Sequence, residues 1–219
     1  MKGVKKNLLL AAALLVAFVL WTVAVRIIDV RTLGPLDANV GLAALNSKFH
    51  QLTGVHMAWY MITDWLSIIP LICAMGFGFL GLVQWIKRKD LRKVDFDILA
   101  LGGFYLAVMA MYVLFEKLEI NYRPVLIDGI LEASYPSSTT VLVLCVMTTT
   151  AMQVRVRLRK SLLRQCVLTA IIVFSVFMVL GRTGAGVHWL TDIVGAALIS
   201  ATLITLYTAV CSLKKPPYD

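Results

Sequence analysis

Six stretches of the chain carry no charged residue: 7–25, 65–86, 98–115, 133–154, 165–181 and 193–213. Each is 17 to 22 residues long, close to the roughly 20 needed to cross a hydrocarbon core of about 30 Å. One such run could be a buried core helix. Six of them would leave a water-soluble domain with no amphipathic helix to cover them. The pattern therefore predicts an all-α, polytopic membrane protein with six transmembrane helices. It forms one domain over residues 1–219, with spans at about 7–28, 58–86, 97–116, 134–154, 165–181 and 189–213. Lys2, Lys5 and Lys6 precede the first apolar run as they would in a signal peptide. That run is too long for a signal h-region and lacks a small-x-small cleavage site, so it is read as an uncleaved first helix.

Composition agrees: 60% of residues are hydrophobic, and the mean hydropathy is +0.85. The net charge of +9 would suit a nucleic-acid partner if it were gathered on a soluble face. It is instead distributed by loop. Fifteen of the 21 basic residues precede span one, follow span six, or lie in the loops 87–93 and 155–164. The alternate loops hold Arg26, Arg31, Lys48, Lys117, Arg123 and Arg182. By the positive-inside rule both termini are expected in the cytoplasm and the second set of loops outside, in a plasma-membrane protein with no nucleic-acid partner. The four cysteines, Cys73, Cys145, Cys166 and Cys211, fall within the spans without paired spacing and read as packing residues.

The outside loops, about 31–56, 116–135 and 182–188, hold all three histidines, His50, His56 and His188. They also hold Arg123 and Arg182, which the topology does not require there. Ionisable residues at helix ends in apolar surroundings are costly unless they pair or serve a site, although long basic side chains also snorkel to headgroups. His188 and Asp192 are four apart at the start of the sixth span and are expected on one helix face. A carboxylate there fixes the imidazole tautomer and leaves the other ring nitrogen free as a nucleophile. A proline and a run of hydroxyls, Pro136-Ser137-Ser138-Thr139-Thr140, open the fourth span. Free backbone N–H groups at such a helix start make an anion seat, though plain capping would use one or two of the hydroxyls.

Together these residues resemble the type 2 phosphatidic acid phosphatase superfamily, whose membrane members have six helices and the motifs KxxxxxxRP, PSGH and SRxxxxxHxxxD. The third motif is read here as Gly181-Arg182, five residues, His188, three residues, Asp192. The resemblance implies an active site at the outer membrane face, where His188 attacks phosphorus, forms a phosphohistidine and is oriented by Asp192. It also implies that Arg123, Arg182 and the Ser137–Ser138 region neutralise the phosphate oxygens. No metal or cofactor is then expected, because fixed donors supply the charge stabilisation.

The third motif is nearly intact, with Gly181 for its serine, and the other two depart further from the family pattern. Glu116 stands where the first motif has lysine, and Lys117 comes one residue late, about 100° around a helix, but its long, flexible side chain keeps it a candidate phosphate ligand. In the second motif Ser138 replaces glycine and Thr139 replaces the histidine that the family uses as general acid. Losing a general acid costs about 10² to 10⁴ in rate when the leaving group needs a proton. A phosphate leaving a diphosphate does not need one, which favours a lipid diphosphate, such as a polyprenyl diphosphate, over a phosphatidic acid type substrate. The alternative sources of a proton are His56 or His50, with Asp64 a further candidate. The function read from the sequence is a membrane phosphatase acting on a phosphorylated lipid. A non-catalytic relative that binds phosphate-lipids is the rival reading. A transporter fits less well, since few charges or helix breakers sit mid-span and no second half mirrors the first.

Overall fold

The computed structural model describes residues 2–159 and 161–214. Lys160 and Lys215, counted above among the basic residues of one side, lie outside the described residues. Among those described, six helical spans are long and apolar enough to cross a membrane. The first is α1 (Lys2–Ile27), followed by a two-stranded antiparallel hairpin of β1 (Arg31–Thr32) and β2 (Asn39–Val40) and a short helix, α2 (Ala43–Thr53). The second span is built from α3 (Met57–Leu66) and α4 (Ile68–Arg88), divided at Ser67. The remaining spans are α5 (Phe96–Leu118), α6 (Ser138–Arg157), α7 (Ser161–Gly184) and α8 (Leu190–Cys211).

α6 and α8 form the centre, each more buried than the other spans. α1 packs along α8, and α4, α5 and α7 surround α6. Phe18, Phe104, Phe115, Tyr135 and Tyr207 build an aromatic core between α1, α5 and α8. Phe18 meets Phe115 edge-on at 5.5 Å and stacks on Tyr135 at 6.4 Å. The outer faces carry side chains that no soluble fold would leave in water: Leu20, Phe79, Leu106, Leu162 and Leu180 are all strongly exposed. Helices satisfy their own backbone groups, so lipid can solvate these faces. The central helices are less apolar, and their hydroxyls are satisfied inside the bundle. Thr149 donates to the Cys145 carbonyl at 2.8 Å, and Thr150 donates to that of Val146 at 2.7 Å.

Polar groups gather at both ends of the bundle. At the end where α4 and α6 finish, Arg157 donates to Asp97 at 2.6 Å, while Arg88 and Gln84 donate to Asp95 at 2.8 and 2.9 Å. At the opposite end a fully buried amide latch holds the loops. Asn46 donates to the Gly41 carbonyl at 2.8 Å and to Thr191 Oγ1 at 3.0 Å. Asn121 donates to the same hydroxyl at 3.3 Å and accepts from Gly41 N–H at 3.2 Å. α2, the hairpin and the segment after α5 are thereby tied to the first turn of α8.

Two helix starts differ from the sequence reading. α6 begins at Ser138 and not at residue 134, because Ser134 and Ser137 spend their N–H groups on the carbonyls of Asn121 and Asp192. α8 begins at Leu190, so His188 precedes the helix and does not share a helical face with Asp192. Trp189 is the N-cap, and Asp192 accepts its N–H at 2.9 Å in a capping box.

Candidate active site

The hydroxyl-rich start of α6, the end of α7, the turn before α8 and the segment after α5 converge on His188, which is 3% exposed. Asp192 Oδ2 stands 3.5 Å from its Nδ1, and Arg123 Nη1 stands 3.4 Å from its Nε2. The capping box that starts α8 therefore holds the carboxylate beneath the ring although His188 is not helical. A guanidinium has only donors, so Arg123 faces a lone pair on Nε2 and leaves the ring proton on Nδ1, toward Asp192. The imidazole is thus neutral. Its pKa is pushed down to about 4, first by burial and then by the positive charges of Arg123 and Arg182; Asp192 acts in the opposite sense.

Arg182 is 1% exposed, at the end of α7. Its Nε and Nη1 have no hydrogen-bond partner among the described residues, and the nearest carboxylate oxygen, Oδ1 of Asp64, is 3.5 Å from Nη1. Its guanidinium lies over the Tyr60 ring at 4.9 Å, and that of Arg123 lies over the same ring at 5.9 Å. Arg123 Nε is also 2.9 Å from Glu132 Oε2. Two buried cations near one imidazole, with donors left over, form a seat for an anion. Tight backbone contacts build its floor. Gly186 has φ +67°, and a side chain there would meet the Gly54 carbonyl, so only glycine lets the turn before His188 lie against the α2–α3 loop. His56 N–H donates to the Ala185 carbonyl at 2.9 Å across the same contact.

The other residues proposed from sequence are placed unequally. Ser138 and Thr139, in the first turn of α6, line a cavity of about 360 Å³ together with His188. First-turn N–H groups have no acceptor within their own helix. Ser137 is fully buried, its hydroxyl accepts from Thr140 at 3.0 Å, and its N–H is bound to Asp192, so it braces the site. Lys117 is exposed on the last turn of α5 and makes no hydrogen bond or ion pair among the described residues, while Glu116 lines the cavity. His56 is exposed, with Nε2 2.9 Å from the Thr53 carbonyl. His50 packs on Trp189 at 5.4 Å, and burial lowers its pKa. Among the described residues neither makes a hydrogen bond or ring contact with His188. Asp64 joins the site through Arg182.

Tyr60 and Glu132 were not singled out from sequence. Tyr60 could have been found through Asp64, because the two are one helical turn apart on α3 and a carboxylate facing a flagged arginine brings its neighbour with it. Glu132 carried no signal beyond lying in an outside loop. Among the described residues no group of three or more His, Cys, Asp or Glu side chains is placed to hold a metal ion.

The cavity runs from His188, Ser138 and Thr139 down between α4, α5 and α6, past Leu71, Val108, Leu142 and Val146. Its wall is apolar, and it includes Met109 and Tyr112, which are also exposed on the outside of the bundle. A polar head with an apolar sleeve suits a ligand of the same polarity.

Residues 114–215, which hold Arg123, Arg182, His188, Asp192 and the start of α6, match the model of the PAP2 superfamily. The match covers just under half of the chain. The PAP2 match leaves out Tyr60, Asp64 and both other histidines. No curated protein matches the chain. Among solved structures it is similar to the first transmembrane PAP2-type phosphatidylglycerolphosphate phosphatase from Bacillus subtilis. The two are 19% identical, with a TM-score of 0.55 over 94% of this chain and 97% of that one. The likeness is one of fold. Six long apolar helices and this likeness of fold mark the protein as an integral membrane protein.

Proposed function

We propose that the protein is a metal-independent lipid phosphatase that works through a phosphohistidine. The observation that carries this reading is the neutral, buried His188, held between Asp192 on Nδ1 and Arg123 on Nε2 at the head of an apolar cavity. Anion binding alone needs arginines but no oriented imidazole.

The substrate phosphate takes the place of the long Arg123–His188 contact, with Arg123, Arg182 and the first-turn amides of α6 on its oxygens. His188 Nε2 attacks phosphorus as the bond to the leaving oxygen breaks, and the leaving group departs with that electron pair. The imidazole is then cationic, and Asp192, beside Nδ1, stabilises it. Water next attacks phosphorus, the N–P bond breaks, and phosphate leaves with His188 neutral again. The tail lies in the sleeve between α4, α5 and α6.

Thr139 fills the place of the family's general acid and has no useful proton to give near neutral pH, and neither His50 nor His56 is hydrogen-bonded to His188. A leaving group that is stable as an anion avoids the need for one, so the preferred substrate is a lipid diphosphate, such as a polyprenyl diphosphate. The basic loops support a topology with both termini in the cytoplasm and the site on the outer face of the plasma membrane, in a single domain over residues 1–219. The test is phosphate release by purified protein from polyprenyl diphosphate and from phosphatidic acid, alongside His188→Ala. The expected result is faster turnover of the diphosphate and no release by the variant, with acid-labile phosphate trapped on His188. Equal turnover of the monophosphate would overturn the preference.

One observation favours a second reading, a non-catalytic phosphate-lipid binder: Glu132 and Asp64 already sit beside the two arginines. Binding of lipid diphosphate without phosphate release in the wild-type protein would establish it.

A further inference from the structure

At the far end of the bundle from His188, a second cavity of about 410 Å³ opens between the end of α4, the end of α6 and the start of α7. α6 runs from Ser138, at the candidate active site, to Arg157, at this cavity. Its 20 residues put the two about 30 Å apart, in opposite leaflets.

Five arginines line this cavity, Arg88, Arg155, Arg157, Arg159 and Arg164, against a single carboxylate, Asp95. That carboxylate is already shared, 2.8 Å from Arg88 and 3.4 Å from Arg157, and Arg157 also holds Asp97. Arg155, Arg159 and Arg164 have no ion pair among the described residues. Arg164 lies in the first turn of α7, where the helix dipole adds to its positive charge. The positive-inside rule accounts for arginines in these loops. It does not account for their turning onto one cavity, where like charges repel unless an anion joins them. Leu80, Val156 and Leu158 give the cavity an apolar side.

We propose that this cavity binds the phosphate headgroup of an anionic phospholipid from the leaflet opposite the active site, as a site separate from the substrate's. Three free guanidinium groups suit a headgroup with more than one negative charge, and the apolar side takes the start of its chains. Basic pockets between membrane helices recognise such lipids by this combination. The site does not depend on catalysis, and it stands even if the phosphatase reading fails.

Native mass spectrometry of the full-length protein in detergent tests it, with tetraoleoyl cardiolipin and dioleoyl phosphatidylcholine as probes. The wild-type protein is expected to retain cardiolipin in strong preference to phosphatidylcholine. Removing three arginines in Arg155→Gln/Arg159→Gln/Arg164→Gln should cost on the order of 100-fold in cardiolipin affinity. His188→Ala should bind cardiolipin as the wild type does, which separates this site from the active site. The matching triple substitution to lysine keeps the charge and should retain most of the binding, so a loss caused by misfolding would show in both triple variants. Unchanged cardiolipin binding by the glutamine variant would overturn the proposal. So would equal retention of phosphatidylcholine, or displacement of cardiolipin by millimolar inorganic pyrophosphate, which would make the occupant a soluble anion.

Discussion

Acidification should reveal the buried imidazole as a loss of stability that is absent without it. His188 binds a proton at about pH 6.5 in the unfolded chain but only at about 4 in the fold, because burial and two arginines oppose its charge. Between those values the unfolded state takes up a proton that the folded state refuses, so stability falls as pH falls. The contribution is fully present above about pH 6.5, is lost progressively below it, and levels off near pH 4. Its size follows from the shift, at 1.36 kcal/mol per unit, as about 3 kcal/mol. For a chain of this length that corresponds to roughly 6 to 12 °C in melting temperature. His188→Gln keeps a neutral polar side chain of similar size and cannot take up the proton. The measurement is circular dichroism melting of both proteins in one detergent from pH 4 to pH 7.5, reading the difference between them at each pH. The wild type should lose ground to the variant steadily as pH drops. Asp192→Asn should steepen the loss, since Asp192 is the group that raises the His188 pKa. Parallel curves for wild type and His188→Gln would refute the argument, for they would mean that His188 is already solvated or already charged.

The same geometry makes further predictions. Asp192→Asn should lower kcat by between about 10² and 10⁴ through loss of the oriented, charge-stabilised imidazole, with substrate binding kept; single-turnover assays read the two apart. Tyr60→Phe should keep the KM, since the ring face under Arg182 remains. Tyr60→Ala should raise it by about 2- to 30-fold, the range of a cation–π contact of about 0.5–2 kcal/mol; equal effects of the two changes would assign the role to the hydroxyl. Thr139→His, which returns a titratable donor to the cavity head, should speed release from a lipid monophosphate more than from a diphosphate, narrowing the ratio of the two rates. Asn46→Ala leaves Thr191 N–H and the Gly41 carbonyl without their partner and should cost about 1–3 kcal/mol, read as a lower melting temperature.

The bundle was legible because a bilayer imposes a length and an apolar composition that nothing else in a chain of this kind imitates. The runs without charge gave six spans, and the helices extend a few residues past them where lysines and arginines reach the interface. Parts of the site were legible through spacing. Arg182, His188 and Asp192 lie within eleven residues of one another in the chain, and Arg123 stood out because a cation there contradicts the charge rule. What stayed hidden depended on partners distant in sequence. Tyr60 is one more aromatic residue in an apolar helix until two arginines, more than sixty residues away, come to rest on its ring. The interval of four between His188 and Asp192 suggested a helical face. The pair meets instead through a capping box, because Asp192 accepts the N–H of the N-cap residue Trp189. Lys117 stands exposed on the last turn of α5, one residue past Glu116, which lines the cavity.

The sleeve between α4, α5 and α6 has a kinetic consequence. A substrate that enters through a helix wall is met by two-dimensional diffusion, so the quantity that sets the rate is its mole fraction in the membrane and not its concentration per volume of water. Diluting the lipid with inert bilayer should slow the protein, while adding more vesicles of the same composition should not change its rate. The two products also part into different phases. On the proposed reading the lipid product, one phosphate shorter, would slide back among acyl chains and the phosphate would go to water, and the reverse reaction would need both to return to the cavity head at once.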